Sequence, residues 1–211
     1  MLGGAFNPPH IGHLTLAQEA YARLGLDRVL LVPVARAPHR EIEPEPGPAV
    51  RLRMCELAVE GDVRLEASPI EVDRGGRSYT VDTLRALRDR APADEHVLIL
   101  GADQAMELPS WHEPEQVLRL AAAIGVASRE GVEREVVFGA LRVLEGAAER
   151  IEFFELPRID VSSSLVRARA AEGLPVRYLV PDAVAEEIAE RGLYAEAGAG
   201  AGAGARAAGA R

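Results

Sequence analysis

Residues 3–13 read Gly3-Gly4-Ala5-Phe6-Asn7-Pro8-Pro9-His10-Ile11-Gly12-His13, a glycine loop that leads into a segment with helical spacing of apolar residues. Glycine lets the backbone approach a ligand closely, and a helix start offers free N–H groups at its positive dipole end. His10 and His13 stand three positions apart, so a helix would place both on one face. Gly12 between them removes a side chain that could crowd a phosphate. The stretch predicts an anion site.

Beyond this loop, short apolar runs alternate with amphipathic segments. Four runs are predicted as buried strands, at residues 28–34, 96–100, 121–127 and 151–156. Strands that are apolar on both faces are typical of parallel sheets. Segments with apolar residues three to four positions apart are predicted as helices, at 11–24, 49–59, 80–90, 114–120 and 132–149. The alternation predicts a doubly wound α/β fold with a mostly parallel sheet. Residues 35–48, rich in proline and charge, are predicted to form a long loop beside the sheet.

The two ends of the chain depart from this pattern. Only Met1 and Leu2 precede Gly3, whereas a buried strand usually needs about five residues, so we expect a truncated first strand and a true start further upstream. From about Gly198 onward, Ala and Gly alternate and offer no side chains for a core. We expect one domain over residues 1–195 and a disordered, functionally silent tail over 196–211.

Charge and composition limit the possible functions. The formal net charge of −9 disfavours a general nucleic-acid binder, because such proteins carry basic patches. All 24 basic residues are arginine, which excludes lysine chemistry and leaves guanidinium groups to bind phosphate. The single Cys55 is predicted to lie in the core. No apolar run reaches the roughly 18 residues that span a bilayer, and no signal peptide is evident, so we expect a cytoplasmic protein without a membrane partner.

A second candidate anion site follows the last predicted strand, in Asp160-Val161-Ser162-Ser163-Ser164-Leu165-Val166-Arg167. Serines at a helix start cap free N–H groups and can also donate to a phosphate. Arg167 lies one turn further on, and helical side chains lean back toward the helix start. Both candidate sites follow parallel strands, at the edge where open α/β sheets bind ligands.

Simpler explanations exist for both sites. The first could be a plain turn with two neighbouring surface histidines, and the second an ordinary serine cap with Arg167 paired to a surface carboxylate. A zinc site of the metalloprotease kind is disfavoured, because such helices use four-residue spacing with an intervening Glu.

These two blocks and three between them resemble the bacterial nicotinate-mononucleotide adenylyltransferases of the nucleotidyltransferase superfamily. Residues 3–14 are similar to the opening signature of the family and residues 161–167 to its closing signature. The middle blocks are Pro38-His39-Arg40, Ser78-Tyr79-Thr80-Val81-Asp82-Thr83-Leu84, and Gly101-Ala102-Asp103 followed by Leu108 and Trp111. The two outer signatures are shared by the whole superfamily, and the middle blocks narrow the resemblance to this family. It extends from Gly3 to about Tyr194.

The resemblance implies a Rossmann-like nucleotidyltransferase fold and a reaction between ATP and nicotinate mononucleotide that gives deamido-NAD and pyrophosphate by direct in-line attack. It implies Mg²⁺ held mainly by the ATP phosphates, with no metal site of protein ligands. The residues expected in catalysis are His10, His13 and Arg167. Those expected to bind ATP are Gly3, Gly4, Ala5, Phe6, His10, His13, Gly101, Asp103, Ser162, Ser163 and Arg167. Those expected to bind nicotinate mononucleotide are Asn7, His39, Arg40, Thr80, Trp111 and His112.

Four positions depart from the family pattern. Ala5 replaces Thr or Ser, Arg40 replaces Lys, His112 replaces Tyr, and Ser164 replaces Thr. At His112, recognition of nicotinate is therefore expected from the backbone rather than from the side chain. None of the four changes removes a group that the mechanism requires.

Other functions and other roles stay open at this point. The alternative functions are an adenylyltransferase for nicotinamide mononucleotide or pantetheine phosphate, and a non-catalytic nucleotide-binding protein. From the residues alone, Asp103 could be a helix N-cap, Thr80 a helix cap, and Trp111 a core residue. The sequence indicates nothing about oligomeric state.

Overall fold

Six parallel strands form one sheet in the computed structural model, which describes residues 1–38, 41–128 and 133–195. They are β1 (Leu2–Gly4), β2 (Val29–Pro33), β3 (Leu65–Ala67), β4 (Val97–Gly101), β5 (Ala123–Ser128) and β6 (Ile151–Glu155). Their order across the sheet is β3-β2-β1-β4-β5-β6. The chain therefore winds outward from the centre, returns, and winds outward on the other side. This arrangement confirms the predicted doubly wound, Rossmann-like fold.

The described residues form nine α-helices, which flank the sheet. They are α1 (Ile11–Arg23), α2 (Pro48–Val59), α3 (Ile70–Arg74), α4 (Thr80–Arg90), α5 (Ala102–Glu107), α6 (Pro114–Leu120), α7 (Glu133–Leu141), α8 (Ser163–Ala171) and α9 (Asp182–Glu190). None of them is long and apolar enough to cross a bilayer. As predicted, the segment between β2 and α2 contains no helix or strand in its described part.

One predicted helix is too long. The helix expected over residues 132–149 ends at Leu141 in the described part of the chain, and turns follow it. Leu144 and Ala147 are nevertheless buried, so the three-residue apolar spacing continues through a non-helical segment. Gly146, with φ of 75°, takes a left-handed conformation within this segment, which is incompatible with a continuous helix to residue 149. The apolar spacing therefore predicted which positions are buried, but it did not predict the backbone conformation.

Apolar layers cover both faces of the sheet. Along β4, Leu98 and Leu100 belong to the cluster on one face, whereas Ile99 belongs to the cluster on the other. Successive side chains of a strand point to opposite faces, so a strand buried on both sides reads as a continuous apolar run. Cys55 lies in the second cluster with no exposed surface, which confirms its predicted core position.

β1 is short and lies at the centre of the sheet. It pairs with β2 from Leu2 to Gly4, and with β4 through Leu2 and Ile99. The strand is thus as short as expected, while the expectation of a start further upstream stays a prediction. The strand order reverses between β1 and β4, so the space beyond their carboxyl ends is the switch point where folds of this class bind ligands.

Candidate active site

The segment between β1 and α1, residues 5–10, is called the first loop below. His10 is the N-cap of α1, with extended φ and ψ of −143° and 171°. Its N–H donates to Nδ1 of His13 at 3.2 Å. Since that nitrogen accepts, the neutral ring of His13 carries its proton on Nε2, which makes Nε2 a donor for a ligand oxygen.

The two histidines stack on each other. Their ring centroids lie 3.7 Å apart with a tilt of 32°, and the edge of Phe6 meets the His13 ring at 4.9 Å. Burial lowers the pKa of His10 to about 4, and burial together with the neighbouring His10 lowers the pKa of His13 to about 3. Both rings are therefore neutral at pH 7 in the absence of a ligand. The arrangement disfavours the alternative of two unrelated surface histidines.

A side chain at Gly12 would crowd the histidine pair, because a Cβ atom there would lie 3.1 Å from both Cε1 and Nδ1 of His10. Gly12 also lines the small cavity described next, and the expectation that it makes room for a phosphate stays a prediction.

A small cavity of about 240 Å³ opens beside the histidine pair. Its walls include four residues predicted to bind ATP, namely His10, His13, Gly101 and Asp103. The remaining wall includes Leu156 and Val161 of the segment after β6.

Asp103 is not the cap of α5. The N-cap of this helix is Gly101, and Asp103 lies exposed in its first turn. The simpler explanation of Asp103 as a helix cap is therefore wrong.

A larger cavity of about 470 Å³ lies next to the small one. Three residues predicted to bind the acceptor nucleotide, Thr80, Trp111 and His112, line it together. Gly3, Gly4 and Ala5, predicted for ATP, form part of the same wall, and Asp103 borders both cavities. The two cavities are thus neighbours at the switch point.

The aromatic wall of the larger cavity is formed by Tyr79 at the start of α4 and by Trp111 and His112, which follow α5. Trp111 is partly buried against the core, so the core explanation and the cavity explanation both hold for it. The ring of His112 lies against Tyr79, with centroids 4.5 Å apart. Tyr79 is the N-cap of α4, and Thr80 is therefore its first helical residue rather than its cap.

The serine block ties α8 to the first loop. Ser162 caps α8 by accepting the N–H of Leu165 at 3.2 Å, so an ordinary serine cap is present. Ser163 donates its hydroxyl to the carbonyl of Pro8 at 2.9 Å, which leaves its backbone N–H, rather than its hydroxyl proton, for a phosphate.

Arg167 also contacts the first loop. It donates to the carbonyl of Asn7 at 2.8 Å and to Oγ of Ser164 at 3.1 Å. The alternative of a surface ion pair for Arg167 is therefore wrong. Because a guanidinium has five N–H donors, three remain for a ligand.

Two side chains of the first loop that were predicted to bind ligands, those of Asn7 and Phe6, are buried. Asn7 is 2% exposed, and its amide donates to the carbonyl of Pro44 at 2.8 Å and accepts from the hydroxyl of Tyr194 at 2.6 Å. Phe6 is buried with φ of 48°, a left-handed conformation that is uncommon outside glycine. Neither side chain lines the two cavities. His39 and Arg40 lie outside the described residues.

A buried carboxylate in the wall of the larger cavity was not predicted. Glu71 is 3% exposed and accepts the hydroxyl of Thr83 at 2.5 Å, while Arg74 donates to that hydroxyl at 3.1 Å. Burial raises the pKa of the Glu71 carboxyl. Its signal in the sequence is weak, because the five residues of α3 are too few to show a helical period.

The described residues contain no group of three or more His, Cys, Asp and Glu that could hold a metal ion. The site instead offers imidazoles, hydroxyls and a guanidinium. These groups are donors to phosphate oxygens rather than the oxygen ligands that Mg²⁺ prefers.

Comparisons with known proteins agree with this geometry. The sequence model of the cytidylyltransferase-like family matches residues 1–169. A probable nicotinate-nucleotide adenylyltransferase from Geobacillus thermodenitrificans is 39% identical, over 92% of this chain and 84% of that protein. A protein of the same name from Roseiflexus is 41% identical, over 92% and 96%. The solved structure of Plasmodium falciparum nicotinic acid mononucleotide adenylyltransferase with NaAD has a TM-score of 0.71 at 15% identity, over 92% and 95%.

Proposed function

Because the chain belongs to the cytidylyltransferase-like family, among the nicotinate-nucleotide adenylyltransferases, we propose that it transfers the adenylyl group of ATP to nicotinate mononucleotide. The products are deamido-NAD and pyrophosphate, and the reaction belongs to NAD biosynthesis. The observation that carries the proposal is the pair of neighbouring cavities. The smaller cavity is lined by four of the residues expected for ATP, the larger one is lined by Thr80, Trp111 and His112, and Asp103 borders both.

The reaction is a single in-line displacement. A phosphate oxygen of the mononucleotide attacks the α-phosphorus of ATP, a new P–O bond forms, and the bond to the oxygen bridging the α- and β-phosphorus breaks as pyrophosphate leaves. The nucleophile is already an anion, so the protein needs to align two ligands and stabilise charge on the reacting group.

His10, His13 and Arg167 are assigned to this stabilisation. The Nε2–H of His13 donates to a phosphate oxygen, and bound phosphates raise the pKa of both histidines because opposite charges favour the protonated ring. The leaving β- and γ-phosphates are bound by the free donors of Arg167, the hydroxyl of Ser162 and the N–H of Ser163. Mg²⁺, held by the ATP phosphates, supplies further neutralisation of charge.

The acceptor pocket accounts for the proposed substrate. The indole of Trp111 offers a face on which an electron-poor pyridine ring can stack. Backbone N–H groups near Thr80 and His112 bind the nicotinate carboxylate, which explains why no arginine lines this wall among the described residues. Asp103, which borders both cavities, is assigned to a ribose hydroxyl of the adenosine.

The proposal is tested by comparing acceptors. Pyrophosphate release from ATP is measured with nicotinate mononucleotide, nicotinamide mononucleotide and pantetheine phosphate, each at matched concentration. We expect kcat/KM for nicotinate mononucleotide to exceed the other two by at least about 100-fold, since groups that bind a carboxylate lose their partner with the amide. Equal rates with the two pyridine nucleotides would contradict the acceptor assignment, and no turnover with any of them would favour a nucleotide-binding protein without catalysis.

The proposed partners are small molecules. ATP and nicotinate mononucleotide are the substrates, no nucleic acid is expected for a chain of net charge −9, and the cytoplasm, where both nucleotides occur, is the proposed compartment.

A further inference from the structure

Arg51, in the first turns of α2, is a buried cation that lines neither cavity. Its side chain is 0% exposed, whereas its ion-pair partner Glu45 lies at the surface with 36% of its side chain exposed. Removing a guanidinium from water is costly unless its donors are satisfied with good geometry. The contacts that satisfy Arg51 are therefore informative about what the residue does.

The guanidinium joins two loops through two backbone carbonyls and one carboxylate. Its Nε donates to Glu45 at 2.9 Å, one terminal nitrogen donates to the carbonyl of Ala5 at 3.0 Å, and the other donates to the carbonyl of Ala35 at 3.3 Å. Ala5 belongs to the first loop. Ala35 and Glu45 belong to the segment between β2 and α2, whose described residues 34–38 and 41–47 are called the acceptor-side loop here.

Both loops lie against the larger cavity. Ala5, Val34 and Ala37 form part of its wall. Neither loop has a helix or strand of its own among the described residues, so contacts from outside must fix their carbonyls. Asn7 adds one further contact, from its amide to the carbonyl of Pro44, and Glu45 also accepts the N–H of Gly47 at 2.8 Å.

We propose that Arg51, together with Glu45, is a positioning pair that sets the spacing between the first loop and the acceptor-side loop and thereby the fit of the acceptor nucleotide. Arg51 touches neither substrate. This inference rests on the proposed function, because the acceptor nucleotide occupies the cavity whose wall the pair supports.

The test uses kinetic parameters of the full chain. Glu45→Ala removes the partner at the surface without touching the core, and we expect KM for nicotinate mononucleotide to rise by about 10-fold while KM for ATP changes by less than about 3-fold. Glu45→Gln keeps an amide oxygen for the Arg51 Nε, so KM should be partly restored. Arg51→Lys keeps the charge but not the planar fork, so it should raise KM at least as much as Glu45→Ala does.

A matched control lies on the same helix. Glu56→Ala breaks the surface ion pair with Arg53, in which both side chains are about half exposed, and should leave all kinetic parameters unchanged. Urea unfolding of every variant gives the folded fraction. If Glu45→Ala and Arg51→Lys lower stability only, with normal KM values for the folded fraction, Arg51 is merely structural and the inference is overturned. A wild-type chain that forms no pyrophosphate would instead refute the proposed function.

Discussion

His10 and His13 stack so closely that their rings cannot both carry a charge without strong repulsion. In the free protein, burial lowers the pKa of both imidazoles, and repulsion from His10 lowers the pKa of His13 further, so both rings are neutral at pH 7. Bound phosphates supply the negative charge that favours protonation, so the pair is suited to gain positive charge when ATP arrives. The site thus holds neutral donors until the ligand that needs them is present.

Replacement of one ring tests this role. His13→Ala removes the Nε2 donor, and we expect kcat to fall by about 100- to 1,000-fold, as for the loss of one donor to a charged transition state. The measurement is pyrophosphate release at saturating substrates. Urea unfolding serves as the control, and near-normal turnover by a folded variant would remove His13 from the mechanism.

The low pKa values of the pair also predict how stability depends on pH. An unfolded histidine binds a proton near pH 6.5, whereas His10 does so near pH 4 and His13 near pH 3 in the folded protein. Between these limits the unfolded state holds more protons, so the free energy of unfolding decreases as the pH falls. Each histidine contributes at most about 1.4 kcal/mol per pH unit.

This dependence is measured by urea unfolding at pH 7.5, 6.5, 5.5 and 4.5. We expect the full contribution above pH 6.5 and a progressive loss toward pH 4 for His10 and toward pH 3 for His13, with a shallower loss in His13→Asn than in the wild type. Equal pH dependence in the two proteins would show that His13 titrates normally in the fold.

At the scale of elements, a buried hydrogen bond from Thr83 to Glu71 connects α4 to α3. Thr83→Val deletes the hydroxyl that Glu71 accepts and leaves that oxygen without its partner, so we expect a loss of about 1–3 kcal/mol in the free energy of unfolding. The matched control is Thr15→Val, whose hydroxyl contacts only a carbonyl of its own helix. It should cost less than about 1 kcal/mol. Similar effects for both variants would argue against a special role of the Glu71 contact.

The elements that the sequence predicted correctly are long enough to show a recurring pattern of apolar residues. α4 and α6 match their predicted ranges, because apolar residues recur through each helix, and β2, β4, β5 and β6 fall within or near their predicted apolar runs. β3, α3 and α5 have three, five and six residues, too few to show a period, and they were not predicted. α9 was missed as well, although its buried Val184 and Ile188 have helical spacing. α7 shows the opposite failure, since buried residues continued the helical spacing past its end.

The candidate site was predictable where its residues form local motifs. His10, His13, Gly101 and Asp103 could be found as motifs, and they share one cavity. The supports of the first loop could not be found in this way. Arg167 and Tyr194 contact Asn7 across 160 and 187 positions of the chain, and no local pattern encodes such contacts.

At the scale of the whole molecule, the sheet consists of two halves that meet at β1 and β4. β1 and β4 meet through the register pair Leu2 with Ile99, a hydrogen bond from the Ile99 N–H to the Met1 carbonyl, and one from the Met1 amino group to the Val97 carbonyl. On one face, α1 packs against strands of both halves. The two cavities lie beyond the carboxyl ends of β1 and β4.

Each cavity is lined by residues of both halves of the sheet, Gly4 with Leu100 in the larger one and His13 with Gly101 in the smaller one. A fluctuation that separates β1 from β4 would therefore disrupt both sites at once. Amide hydrogen exchange at Ile99, whose N–H donates to the Met1 carbonyl, would report such an opening. Because each bound nucleotide would contact residues of both halves, we expect the two ligands to slow exchange at Ile99 more than at the centre of β5.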